Sequence, residues 1–490
     1  MRSRLMVVIA FAGCASAQQG DGPVDADNAP PDQKPVVTPD APECADGCEQ
    51  LALYVAPTGS DTAPGTKNAP MKTIQAAIVK AQSVGAIAVY VQSGRYTEPV
   101  VMKGGIGVYG GFDTGWLRNT ATATEIEAAS PAVTFDGIEV PTRLEGLTVK
   151  TPDAVGAGNS AYAVSVNNSL AIEIVDVVLQ PGAGAAGSDG VDGTAGAFGG
   201  AGISGRPGVE RSTSTLCAYR ALPAGGAGGT STCGRSGGVG GLPGTGTGGG
   251  APGGAGVGGT AGGLGATGEG RNGVTGSWGT AGFAGASGSA ATVGGTFAGT
   301  RFTGARGGTG GFGTAGNGGG GGGGGGGGTT DCDSTGSSGG GGGAGGCGGA
   351  PGTGGSGGGG SFGLIAVDSA VILRESTVTA GRGGIGGRGG RGGAGGTGGA
   401  GGAGGAYGGA SEQDDGGYGA AGGRGGDGGR GGHGGGGSGG PSAAVVCVGT
   451  ATLQAPNSTL TGGAGGAGGP SMGLVGPAGP STRTIGCSGI

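Results

Sequence analysis

From Ile87 onward the chain alternates apolar and polar residues in short runs: IAVYVQ, PVVM, IGVYGGF, AVTF, RLEGLTV, YAVSV and LAIEIVDVVL. Such alternation puts every second side chain on one face and predicts half-buried strands. Gly, Asn, Pro and Asp separate the runs, with no helical pattern between them. Val89, Val108 and Ile126 fall 19 and 18 residues apart, about one coil of a parallel β-solenoid. An all-β sandwich also gives short strands at regular spacing. Two features favour the solenoid: two-residue hairpin turns are few, and the one amphipathic helix comes first, where it can cap an open end. Met71, Ile74, Ile78 and Ala81 form the apolar face of that helix, and Pro70 sits near its first turn.

The strand pattern returns after long interruptions. Residues 160–184, 361–384 and 442–466 each give an alternating strand, a polar break, a second strand, a polar stop and then glycines. Units of this kind bury a face by stacking on one another. The expected organisation is therefore a solenoid over 51–181, further coils at 361–380 and 442–461, glycine-rich insertions at 182–360 and 381–441, and a Gly/Pro-rich segment at 462–490. Each insertion leaves the stack at one corner and returns to it.

Within the insertions the period is three. Between 381 and 440 a non-glycine residue recurs at every third position from Arg382 through Ile385, Arg388, Arg391, Ala394, Thr397 and Ala400 to Ala406, and again, after an interruption, at Arg424, Asp427, Arg430 and His433. Three residues per turn is the repeat of the extended left-handed helix, which makes no internal hydrogen bonds. Two bare edges per turn let such rods bond to one another as a polyglycine-II bundle. The competing reading is a disordered linker, since glycine tracts bury little apolar surface. Pinning both loop ends to a rigid stack lowers the entropic cost of ordering and favours the bundle. Packed edges are then expected to carry small residues, Ala394 and Ala400 among them. Arg382, Arg388 and Arg391, with Tyr407 and Tyr418, are expected on an exposed binding rim, since Arg and Tyr concentrate binding energy.

Tyr54-Val55, Gly59-Ser60-Asp61, Gly65-Thr66, Ala69-Pro70, Thr73 to Ile78, Val89-Tyr90-Val91 and Gly94-Arg95-Tyr96 together resemble the opening of bacterial right-handed parallel β-helices of the pectin-lyase-like group. Val108 to Asp113, Trp116 and Arg118 are similar to its secreted, often lipidated members. The resemblance covers roughly 51–180 and implies an all-β fold: a right-handed parallel β-helix with an N-terminal capping helix. The glycine tracts are similar in composition to mycobacterial surface proteins of the PE-PGRS type.

Composition narrows the function. Of 490 residues 146 are glycine and 24 proline, too little proline for collagen. The net charge is −6, and residues 18–50 hold eight acids against Lys34, so the body is nearly neutral and lacks a nucleic-acid footprint. That acidic, Pro-rich stretch reads as a solvated tether. MRSR followed by LMVVIAFAG reads as a secretion signal over 1–17. Phe11-Ala12-Gly13-Cys14 resembles a lipobox with Cys14 as the lipidated residue, and Ala15-Ser16-Ala17 suits ordinary signal peptidase instead. The first reading leaves eight cysteines, an even number suited to an oxidising compartment. They fall into neighbouring couples: Cys44 with Cys48, Cys217 with Cys233, Cys332 with Cys347, Cys447 with Cys487. None has zinc-site spacing, and no metal or cofactor is implied.

Polysaccharide chemistry on such a fold needs carboxylates that converge. Glu125, Glu127, Glu145, Glu173, Asp176 and Glu375 are spread singly along the chain, and no acidic cluster accompanies Lys103 or Arg143. Asp414-Asp415 reads as a solvated loop. Asp189 and Asp192 lack a calcium-binding frame, and His433 occupies a slot between glycines. The leading expectation is a non-catalytic scaffold or adhesin, lipid-anchored at the outer membrane or cell surface, or secreted. Its partner is a cell-surface or matrix polysaccharide or protein, or another copy of itself. A carbohydrate-active β-helix and an ice- or polymer-surface binder are the alternatives.

Overall fold

In the computed structural model the alternating runs close into three parallel sheets around one interior. The structure describes residues 52–118, 123–209, 221–329, 334–406 and 415–488, all within the compact unit Cys48–Ile490. The leader, Cys14, the 18–50 tether, Cys44, Cys48, Cys217, Cys332 and Tyr407 lie outside the described residues.

Strands Ala52–Val55, Ala88–Gln92, Gly107–Phe112, Thr142–Glu145, Ile172–Val175, Ala370–Arg374 and Thr452–Gln454 form the first sheet. The second comprises Val100–Val101, Val133–Asp136, Ala161–Asn167, Ser361–Val367, Ser442–Val448 and Ser481–Ile485. The third comprises Gly94–Tyr96, Thr124–Glu127, Thr148–Lys150, Val178–Gln180, Thr377–Thr379 and Thr459–Thr461. Successive strands visit the three sheets in turn, so the chain is a parallel β-helix-like coil. Leu53, Val89, Val108, Leu144, Ile174 and Leu373 stand in one register column inside it. Burying each such side chain is worth about 1.5–3 kcal/mol. Ile126 is not the next rung after Val108: it pairs with Tyr96 and Val149 in the third sheet. Leu144 follows Val108 by 36 residues in that column, so the repeat is not constant from coil to coil.

The polar breaks of the repeat are corners. Asn168, Asp368, Glu375 and Asn457 take positive φ, and a serine follows each. Ser169 Oγ accepts from Ile138 N–H, Ser369 Oγ from Ser169 N–H, Ser376 Oγ from Val177 N–H, and Ser458 Oγ from Ser376 N–H. Backbone donors that the turn removes from the sheet ladder are thereby paired coil to coil. Helix Ile74–Val84 packs Ile74, Ala77, Ile78 and Ala81 against the first strands. Thr73 caps its start, and Glu98 accepts from Ile74 N–H (2.7 Å) and Gln75 N–H (3.1 Å).

All three glycine-rich tracts leave after a third-sheet strand and re-enter at a second-sheet strand: Gln180 to Ser361, Thr379 to Ser442, Thr461 to Ser481. The last of these makes residues 462–480 an excursion too, re-entering at Ser481–Ile485. The tracts run side by side and bond laterally. In the stretch 318–328 every residue is buried. Gly320, Gly321 and Gly322 donate to Ser277, Gly254 and Gly340, and accept from Gly423, Gly263 and Gly241, on six different segments. A Cβ added at Gly322, Gly323 or Gly324 would lie 2.0 Å from the carbonyl oxygen of Ala420, Leu264 or Leu242 respectively. Triplets of the form Gly-Gly-X, as in 381–406, keep two edges against neighbours and expose the third. Between 184 and 208 only one residue in three is glycine, and most of the others face solvent.

That geometry corrects two expectations. Ala394 and Ala400 occupy exposed edges, like Arg391, because in this segment the glycines line the packed ones. Cys347 pairs with Cys233, and not with a near neighbour in sequence. Residues 334–347 run as one extended segment, which carries Cys347 about 40 Å beyond residue 334 at ~3.1 Å per residue and brings it beside the turn at Ser231–Cys233. Cys447 is bonded to Cys487, joining the last two second-sheet strands.

Candidate functional site

An X position on an outer segment must point away from the packed edges, so a basic residue there is displayed by the backbone itself. Arg382 and Arg391 are exposed and Arg388 half-buried along one such edge. The adjoining segment adds Arg424, Asp427, Arg430 and His433. Acidic side chains clamp this row. Asp189 Oδ1 accepts from Arg388 N–H at 2.7 Å, and Asp192 Oδ1 from Arg391 N–H at 2.7 Å. The Arg388 guanidinium lies 3.3 Å from Asp192 and 3.7 Å from Asp189. Asp427 Oδ1 accepts from Gly398 N–H (2.8 Å) and from Arg424 (2.6 Å). Gly392 N–H donates to His433 Nδ1 at 3.2 Å, and Arg430 Nε to Gly392 O at 3.3 Å.

These contacts set the ionisation of the row. The Arg391 amide and then the Arg388 guanidinium hold the Asp192 carboxyl below the ordinary aspartate value. The Gly398 amide and then Arg424 do the same for Asp427. Burial, followed by repulsion from Arg430 and Arg391, pushes the His433 imidazole down, consistent with Nδ1 acting as an acceptor. Five guanidinium groups thus stand with three carboxylates and a neutral imidazole. Asp189 and Asp192, which the sequence left without a role, add side-chain ties to the backbone bonds that already join the arginine-bearing segment to its neighbour. Tyr418 is not part of the row. Gly419 abuts Gly404, which places Tyr418 about 40 Å along the rods from Arg391 at ~3.1 Å per residue.

A second charged cluster was invisible as one in the sequence. On the first sheet Glu145 takes Arg118 Nη1 at 2.6 Å and Arg143 Nε at 2.5 Å. Glu173 lies 3.8 Å from Arg143 and 3.5 Å from Arg374. Two of the carboxylates expected to be scattered, Glu145 and Glu173, therefore come together, because Arg143 pairs in register with Glu173 and the strand at Arg374 is the next rung. The Glu145 side chain is 1% exposed, and an arginine stands between it and Glu173. A carboxylate held by two guanidinium groups is committed to them, so this is an alternating ladder of charge along consecutive coils. Above it Tyr54, Tyr90 and Tyr109 form an aromatic column with centroids 5.5 and 5.8 Å apart, edged by Trp116 and Phe112. Among the described residues no group of three or more His, Cys, Asp or Glu is arranged to hold a metal ion.

No family model matches the chain, and no curated protein does. Among solved structures, a rhamnogalacturonan lyase is similar over 27% of this chain and 36% of its own, at 19% identity and a TM-score of 0.20. The pectin methylesterase PemA from Erwinia chrysanthemi is similar over 29% of this chain and 50% of its own, at 16% identity and a TM-score of 0.18. The likeness spans half or less of the length of either structure.

Proposed function

We propose that the chain is a non-catalytic surface scaffold that attaches to acidic matrix polysaccharide through its arginine row. In this reading the coil is a right-handed β-helix closed at one end by helix Ile74–Val84, and the glycine tracts are a polyglycine-II-type bundle. Cys14 carries a lipid, and residues 18–50 hold the body off the membrane. The observation that carries the proposal is the placement of Arg382, Arg388 and Arg391 on one solvent-facing edge. The hydrogen bonds that Asp189 and Asp192 make to the arginine backbone support it. Spacings of six and three residues repeat the side chains at about 19 and 9 Å along the edge, a cadence suited to a linear polyanion and not to a single small ligand.

Immobilised polygalacturonate, with neutral dextran as control, tests this. The triple variant Arg382→Ser, Arg388→Ser, Arg391→Ser is expected to bind at least tenfold more weakly with an unchanged melting transition, and wild-type binding to weaken as salt screens exposed charges. Equal binding by the variant, or equal binding to dextran, refutes the proposal. Cys14→Ala should separately release the protein from the membrane fraction; retention there rejects the lipid anchor.

A further inference from the structure

Inside the first glycine tract the chain makes an antiparallel hairpin, Gly295–Ala298 with Arg301–Gly304. The hairpin docks on the outer face of the second sheet. Phe302 N–H donates to Tyr162 Oη at 3.0 Å. Phe297 and Phe302 pack on Phe362 at 5.5 and 5.7 Å, while Tyr162 stacks on Phe362 at 5.3 Å. These contacts suspend the hairpin tip, Thr300 to Phe302, over the corner loops at Ser130-Pro131 and Pro152-Asp153. Between tip and loops lies a cleft of about 440 Å³, within the size range of small-ligand sites.

We propose that this cleft binds one neutral sugar ring. Its walls divide by chemistry. The half-buried ring of Tyr162 offers an apolar platform backed by the buried Phe302, and Asp153, Arg301, Ser130 and Ser165 surround it with acceptors and donors. Asp153 Oδ1 is fixed by Ala183 N–H at 2.6 Å, and Ser130 Oγ by Tyr162 N–H at 2.7 Å, so both polar groups are held in place before a ligand arrives. The lining holds one carboxylate and one guanidinium, so the cleft attracts neither an anion nor a cation by net charge. A wholly apolar ligand would leave these polar groups dehydrated and unpaired, at a cost of ~1–3 kcal/mol each. A pyranose matches both halves: its C–H face lies on an aromatic ring, and its hydroxyls give protons to Asp153 and accept them from Arg301. The site is separate from the arginine row and needs no polyanion.

Saturation-transfer NMR on the full chain with the methyl glycosides of glucose, galactose and mannose tests this directly. Transfer to the ring protons of at least one glycoside is expected, indifferent to salt. Asp153→Asn keeps an oxygen for Ala183 N–H, and Arg301→Ala alters only an exposed hairpin tip, so both are expected to fold. Each should weaken binding at least tenfold with an unchanged melting transition, and the triple arginine variant should bind the glycoside normally. No transfer with any of the three glycosides overturns the proposal. So does transfer that persists unchanged in both cleft variants, or binding of free alanine in place of the glycosides, which would make the cleft a zwitterion site.

Discussion

Adding one methyl group at Gly322 should unfasten the glycine-rich half of the protein. The new Cβ would lie 2.0 Å from Ala420 O, whereas real Cβ contacts stay beyond 3.0 Å, so that oxygen must retreat by about 1 Å. Ala420 O accepts from Gly340 N–H and Ala420 N–H donates to Gly323 O, both at 2.9 Å. Retreat stretches both bonds out of range in a stretch where every residue is buried. Each buried group left without a partner costs ~1–3 kcal/mol, giving about 2–6 kcal/mol for the two bonds. Alanine's stiffer unfolded chain returns ~0.4–1 kcal/mol, so Gly322→Ala should cost about 1–6 kcal/mol. Ala394→Leu and Ala400→Leu are the controls: both sites are exposed, and each change should stay within ~0.5 kcal/mol. The assay is hydrogen exchange of the 318–328 amides, read alongside thermal unfolding. Gly322→Ala should accelerate exchange there while the amides of Ile172–Val175 keep their protection. If Gly322→Ala exchanges like wild type, or the leucine controls exchange faster than it does, the assignment of packed and open edges is wrong.

Glu145→Gln removes the charge that two guanidinium groups share in a nearly closed environment, and should destabilise the coil by about 3 kcal/mol or more in denaturant unfolding; a change below ~0.5 kcal/mol would make the ladder ornamental. Asp192 and Asp427 titrate below the ordinary aspartate value of 3.8. Their contribution is therefore complete above that value and is lost as pH falls through and below it. The melting temperature of wild type should fall on acidification from pH 5 to pH 3 more steeply than that of the Asp192→Asn, Asp427→Asn variant; parallel curves would refute a fastening role.

What could be read from the sequence was whatever repeats locally. Val89 and Val108 are 19 residues apart and are true neighbours, because no loop separates their coils. The corner pattern at Asn168-Ser169 and Asp368-Ser369 recurs because a left-handed turn and a hydroxyl acceptor are needed at each coil, whatever intervenes. Lateral neighbours were not legible. Glu173 and Arg374 meet only because an excursion of some 180 residues returns to the corner it left. Cys233 and Cys347 meet across 114 residues because two rods lie side by side. Ser481–Ile485 escaped notice for a different reason: STRTI is largely polar, and its place in the sheet comes from pairing with Ser442–Val448. The cleft under the hairpin combines both difficulties, joining the 129–160 loops to a tip more than 140 residues away.

The glycine tracts obey one rule that links composition to position. With three residues per turn, each rod has three edges, and an edge facing another rod takes glycine or, as at Ser338, Ala344 and Ser438, a small side chain. Glycine content per triplet broadly follows enclosure, three in 318–328, two in the layer that carries the arginine row and about one at 184–208, while the buried stretch 334–347 carries Ser, Thr, Ala and Cys among its glycines. An insertion of one residue turns everything beyond it by about 120°, driving side chains into the packed edges and glycines into solvent. An insertion of three preserves the register and only lengthens the rod. The tracts are accordingly free to grow in whole triplets from their fixed corner, and the side chains at the open edges are free to vary without consequence for packing. Arginine at the open edges is set by no demand of the packed ones: Arg388 and Arg424 pair on the surface with Asp192 and Asp427, and the row as a whole is what the proposed polyanion would meet.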